Sequence, residues 1–226
     1  MQFGTFSGFS MGTASLRSSG LAAVLLCFAG ASSAGPGDAG GDYDLARLRS
    51  GEILLQTMDS DKPGGAARVT ALLHTTADAV WEVIGNCKNE LIYIRGLKLC
   101  EVLEAGTTRM LMHHRLRSNW YTPTLDFTFE ASRKSGNFGE AHLVDGNLKV
   151  LHGQWRLVPL AEGNDVIVIH EIRIQPKIPA PRWLVRRSLR KDLPDMLACI
   201  RGLANASGDK RRIAVDLKRC PGDISR

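Results

Sequence analysis

Thr124-Leu125-Asp126-Phe127-Thr128-Phe129-Glu130-Ala131 alternates without a break: Leu125, Phe127 and Phe129 fall on one face, and Asp126, Thr128 and Glu130 on the other. A period of two is the mark of a β-strand with one buried and one wet face. The flanking segments repeat it. Upstream, Met110, Met112, His114 and Leu116 share a face against Arg109, His113, Arg115 and Arg117. Downstream, Leu151, Gly153, Trp155 and Leu157 oppose His152, Gln154 and Arg156, while Val168, His170, Ile172 and Ile174 oppose Glu171 and Arg173.

Working outward, Ala67, Val69, Ala71 and Leu73 give an earlier strand. Thr75, with Asp78 three residues on, resembles a capping box that opens a helix with Val80, Trp81 and Ile84 inward. Gly85-Asn86 ends it, and a second short helix through Leu91, Ile92 and Ile94 leads to Gly96 and a strand over Leu97 to Leu103. Nearer the N-terminus, Tyr43 to Arg49 predicts a short helix and Glu52 to Met58 a first strand. At the other end, Pro179-Ala180-Pro181 breaks the sheet and starts a long helix. Val185, Leu189, Leu193, Met196, Ile200 and Leu203 form its apolar stripe. Pro194 removes a backbone donor there and predicts a kink. From Ala66 to Ala204 the order is one strand, two short helices, five strands and one helix. It predicts an α+β domain: a curved antiparallel sheet wrapped on a long C-terminal helix, with a hollow between them.

With 226 residues, 44% apolar content and a mean hydropathy of -0.09, the composition fits one globular domain. No run reaches the roughly 18 to 20 apolar residues of a membrane-spanning helix. Leu21 to Ala31, the nearest, reads as the core of an export signal over residues 1–34. Arg17 precedes it, and Ser32-Ser33-Ala34 offers small residues for cleavage. Met11 is an alternative start, and a retained N-terminal anchor is the competing reading. Residues 35–63 then read as a linker and N-terminal extension, 64–206 as the domain, and 207–226 as a basic tail. The expected location is outside the cytoplasm, periplasmic or secreted.

Loss of the leader removes Cys27 and leaves Cys87, Cys100, Cys199 and Cys220, for which three pairings exist. The most local loops join Cys87 to Cys100 and Cys199 to Cys220. In an oxidising compartment each would add about 3 kcal/mol by restricting the unfolded chain; four buried thiols are the alternative. Neither a CxxC nor a clustered His/Cys spacing speaks for a metal, and no cofactor is implied. The formal charge is +6, with Arg186, Arg187 and Arg190 among the cations crowding the start of the last helix. Such a patch is either the wet face of a helix or a dock for an anionic membrane surface, and export argues against nucleic acid as the partner.

Three stretches also carry a family resemblance: Ala79-Val80-Trp81-Glu82-Val83-Ile84, Gly153-Gln154-Trp155-Arg156-Leu157-Val158-Pro159, and Leu189-Arg190-Lys191-Asp192-Leu193-Pro194 with Ile200-Arg201-Gly202-Leu203. With the order of elements, they make residues Gly64 to Ala204 similar to the START-like (SRPBCC) superfamily, in its polyketide cyclase/dehydrase branch with the coenzyme Q-binding proteins. The resemblance implies a helix-grip fold with an internal cavity for lipids, sterols, quinones or polyketides. It brings no catalytic motif. The expected function is an exported binder or carrier of an apolar small molecule.

The candidate lining is Met110, Met112, His114, Phe127, Phe129, Trp155 and His170 from the sheet, with Leu189, Leu193 and Met196 from the helix. Methionines and aromatics make adaptable walls, and the two imidazoles would orient a carbonyl or hydroxyl. The same alternation also fits a solid core. If the protein is an enzyme, a cyclase or dehydratase, His114 or His170 is the candidate general base, with no carboxylate expected on their face to orient either one.

Overall fold

The computed structural model describes residues 43–58, 63–117, 123–161, 164–178, 180–205 and 209–222. The leader read in residues 1–34 lies outside these, as do residues 35–42 and 59–62 of the segment that follows it and Pro179. Residues 42–226 form one compact unit.

Helix α1 (Leu45–Arg49) precedes β1 (Leu54–Thr57) and β2 (Gly65–Leu73). Then come the short helices α2 (Ala77–Ile84) and α3 (Cys87–Tyr93). Six strands follow, one more than the alternation predicts: β3 (Leu97–Ala105), β4 (Arg109–Leu116), β5 (Leu125–Ser135), β6 (Phe138–Gly146), β7 (Leu148–Pro159) and β8 (Val166–Pro176). The chain ends in α4 (Arg182–Ala204) and α5 (Lys210–Leu217). All eight strands form one antiparallel sheet in the order β1-β2-β8-β7-β6-β5-β4-β3, open at β1 and β3. The first long strand thus pairs with the last, Val69 opposite His170, which bends the sheet around α4.

Helix α2 is capped by Thr76, one residue after the predicted Thr75; the Thr76 hydroxyl accepts from the Ala79 amide. Thr75 with Asp78 has the sequence of a capping box, but the helix starts one position later. Helix α4 continues through Pro194 as a single 23-residue element.

The principal core lies where the C-terminal half of α4 meets β2, β8 and the two short helices. Leu197, Ile200, Val69, Leu73, Val80, Val166 and Val168 are fully buried there. A smaller core on the opposite face of the sheet puts Leu48 of α1 against Leu72, Ile167 and Ile169. A third cluster, Met112, Phe127, Phe129 and Leu148, occupies the concave face of β4, β5 and β7. Most of its packing partners are only half-buried, because that part of the sheet faces a cavity.

Both predicted cysteine pairs are bonded. Cys87–Cys100 ties α3 to β3, with Cα atoms 5.4 Å apart, and Cys199–Cys220 ties α4 to the segment after α5, with Cα atoms 4.8 Å apart. The tail is further locked by a buried ion pair. Arg201 of α4 donates from Nε and Nη2 to the two carboxylate oxygens of Asp216 at 2.7 and 2.8 Å, and from Nη1 to the Gly51 carbonyl at 3.1 Å.

Candidate functional site: an internal cavity

Between the N-terminal half of α4 and the concave faces of β3 to β8 lies a cavity of about 1090 Å³. Small-molecule sites run to about 1000 Å³, so this volume stands at the top of that range. All ten residues of the candidate lining border it: Met110, Met112, His114, Phe127, Phe129, Trp155, His170, Leu189, Leu193 and Met196. Their convergence follows from register. His114 stands opposite Phe127, Met112 opposite Phe129 and Trp155 opposite His170, so inward positions meet inward positions across four strands.

One end is bordered by Trp81 of α2. Its indole Nε1 donates to the Gly136 carbonyl at 2.7 Å, and the Arg133 guanidinium lies 5.2 Å from the ring centre. A Cβ at position 139 would come within 2.8 Å of that indole, so only glycine lets β6 pass so close. At the other end, Pro123, Ile178, Pro181, Leu184 and Arg187 border the cavity near the start of α4. Arg95, also on its border, is held by Asp192 at 2.8 Å and Asp195 at 3.2 Å.

The two predicted histidines differ in chemistry. His170 is 5% exposed, and its Nδ1 lies 3.0 Å from the Gln154 carbonyl. A carbonyl only accepts, so Nδ1 carries the proton and Nε2 is left as an acceptor. Trp155 stacks on the ring, with centroids 3.8 Å apart and planes 20° off parallel. Burial drives the pKa down to about 4, against a smaller upward pull from the Gln154 carbonyl, so the ring is neutral.

His114, also 5% exposed, touches Phe129 edge-on at 4.7 Å between ring centres. It is not alone, contrary to the expectation that no carboxylate shares its face. Glu90 of α3, 6% exposed, brings Oε2 to within 2.7 Å of His114 Nε2. The distance is that of an ion pair, but the ring does not aim an N–H along it, so Nε2 has no aligned hydrogen bond. Tyr93, on the next turn of α3, donates its hydroxyl to the Ile84 carbonyl at 2.8 Å; burial first, and the nearby Glu90 charge second, hold that phenol well above its usual pKa. The Cys87–Cys100 bond fixes this arrangement, because Cys100 is the cross-strand partner of His114 while Cys87 starts the helix that carries Glu90. Strand alternation cannot find Glu90, since it comes from a helix. Its spacing to Tyr93 and Ile94 at i+3 and i+4 is the signal that places it on the inward face.

The sequence profile of the polyketide cyclase/dehydrase and lipid transport family matches residues 73–201, more than half of the 226. The chain belongs to that family. No curated protein matches it at a significant level. Among solved structures, a STAR-related lipid transfer protein fragment from Xanthomonas axonopodis superposes with a TM-score of 0.59 at 18% identity, covering 67% of this chain and 93% of that one. Human STARD10 gives 0.57 at 9% identity, covering 67% and 69%, and human StAR-related lipid transfer protein 5 gives 0.56 at 12%, covering 67% and 81%. At these identities the likeness is one of fold: the helix-grip architecture of a polyketide cyclase/dehydrase and lipid transport protein. Membership of this family supports hydrophobic-ligand binding or a cyclase-type function.

Proposed function

We propose that the protein is an exported carrier that shelters one amphipathic molecule, a lipid, quinone or polyketide-like compound, in the cavity. The observation that carries this reading is the volume of about 1090 Å³ whose buried walls are methionine, aromatic and aliphatic side chains, with charged residues such as Arg95, Lys98, Arg109 and Arg187 on its border. Buried polar groups line it at only a few points, so it favours an apolar body with a few fixed polar contacts. His170, neutral and with Nε2 free of a proton, accepts from a ligand hydroxyl; the Glu90–His114 pair holds a second polar point across the cavity. Two disulfides support an oxidising location, and among the described residues no helix is long and apolar enough to cross a membrane.

Loading takes place at an anionic membrane surface. Arg186, Arg187 and Arg190 stand at the start of α4 beside Trp183, which is 62% exposed and well suited to the lipid headgroup level. No acidic residue lies in the first turn, so the helix dipole adds to the positive field.

The Glu90–His114 pair favours a second reading, a cyclase or dehydratase in which His114 takes a proton from a polyketide-like substrate and Glu90 stabilises the imidazolium formed. One experiment separates the two: native mass spectrometry of the protein from its own compartment, and again after incubation with phosphatidylglycerol vesicles. The carrier reading expects a co-purifying apolar molecule, salt-sensitive loading from vesicles, and loading weakened by Arg186, Arg187 and Arg190 to Gln. An empty protein that turns over a polyketide, with turnover lost but binding kept in His114→Ala, overturns it in favour of the enzyme.

A further inference from the structure

The outer face of the sheet carries a second group of polar side chains, which point away from the cavity although Glu140 also borders it. Glu140 and His142 are alternate residues of β6, so both point outward, and His142 stands directly opposite His152 of β7. The two imidazole rings are 4.7 Å apart at their centres and tilted by 31°. Glu140 Oε2 is 3.3 Å from His142 Nε2. One ligand atom from each of the three residues lies within 4.8 Å of the other two. Ligands about 2.1 Å from a tetrahedral metal ion are roughly 3.4 Å apart, so rotation of His142, the exposed member of the three, closes the difference.

We propose that Glu140, His142 and His152 bind a first-row divalent cation of the zinc or copper type on the outer face of β6 and β7. Two neutral imidazoles and one carboxylate are the donor set such ions prefer, whereas magnesium and calcium need oxygen ligands throughout. The backbone does the positioning: a cross-strand pair fixes the two histidines, and an i, i+2 step on one strand adds the carboxylate. The surrounding charges set the conditions. Lys134 Nζ is 3.2 Å from Glu140 Oε1 and leaves Oε2 to the metal. Arg173 pairs in register with His152 and opposes the cation; Glu130 pairs in register with His142, but its charge is shared with Arg109 at 3.1 Å. Linear spacing hides the set, because β6 and β7 must pair before His142 meets His152.

The test is calorimetric titration of the full chain, disulfides intact and free of any tag, with zinc chloride and then copper chloride. The expected result is saturation at one equivalent, tighter for copper. His142→Ala and His152→Ala each weaken binding by at least about tenfold, with the melting temperature of the metal-free protein unchanged. Lys134→Ala tightens binding or leaves it as it is. Absence of saturable binding overturns the proposal, and so does one-equivalent binding that survives the His142→Ala, His152→Ala double substitution. Neither outcome touches the carrier reading, since His142 and His152 do not border the cavity.

Discussion

Helix α4 has two lives, divided near Pro194. After it, Leu197, Ala198, Cys199 and Ile200 are fully buried against β2, β8 and the short helices. Before it, Leu189 and Val185 are half-buried: on one side they pass close over Gly65 at the start of β2, and on the other β4 to β7 stand off by the width of the cavity. The difference comes from what faces the helix. Around the C-terminal half, Val69, Ala71, Leu73 and Val168 offer branched or compact side chains on strands joined edge to edge, and α2 and α3 fill the remaining side. Around the N-terminal half, β5 to β7 present Ala131, Ala141 and Gly153 between the larger residues, which are too small to reach across. Stability is therefore concentrated at one end of the helix, and room for a guest at the other.

Truncation of the helix on either side should show the largest contrast. Leu197→Ala opens a void inside a close-packed core and costs about 2–5 kcal/mol, whereas Leu189→Ala removes a half-buried side chain that borders the cavity on one side and should cost clearly less. Urea unfolding at an unchanged slope measures both; equal costs would mean that the helix is supported alike along its length. The seam between the halves gives the next effect. His170 has a folded pKa of about 4, against 6.5 for an ordinary histidine. Between those values the unfolded chain takes up a proton that the folded chain refuses, so stability is full above pH 6.5 and falls as the pH drops towards 4. The gap is worth about 3 kcal/mol. His170→Phe should flatten that part of the stability profile, and an unaltered slope would place the titration elsewhere.

The legible parts of this molecule are those where one face is apolar and the other charged. β4, β5, β7 and β8 separate their residues so cleanly that register, and with it the shared cavity face of His114, Phe127, Phe129, Trp155 and His170, can be read from alternation. β6 cannot be read that way: its inward positions include Gly139 and Ala141, kept small so that Trp81 can approach and the cavity can exist. Glu90 was hidden for a related reason. A carboxylate on a seven-residue helix looks like surface until Cys87–Cys100 and the β3–β4 pairing turn it towards His114. The fold of the basic segment after Ala204 depends on Arg201 meeting Asp216 inside the protein, a contact that neither residue announces alone.

Small residues thus mean opposite things in the two halves, and that supplies the finest test. Ala71 of β2 is fully buried in the principal core, while Ala141 of β6 borders the cavity. A phenylalanine at position 71 must displace packed neighbours and costs about 1–3 kcal/mol. At position 141 the added ring enters open volume beside Gly153, its partner across the strands, so the melting temperature should hardly move. Binding should respond in the reverse order. Ala141→Phe occupies space the guest needs and lowers the fraction of ligand-loaded protein seen by native mass spectrometry, whereas Ala71→Phe leaves that fraction intact wherever the protein is folded. If Ala141→Phe proved as destabilising as Ala71→Phe and left loading untouched, the inner wall of β6 would be packed core, and the hollow would have to end short of it.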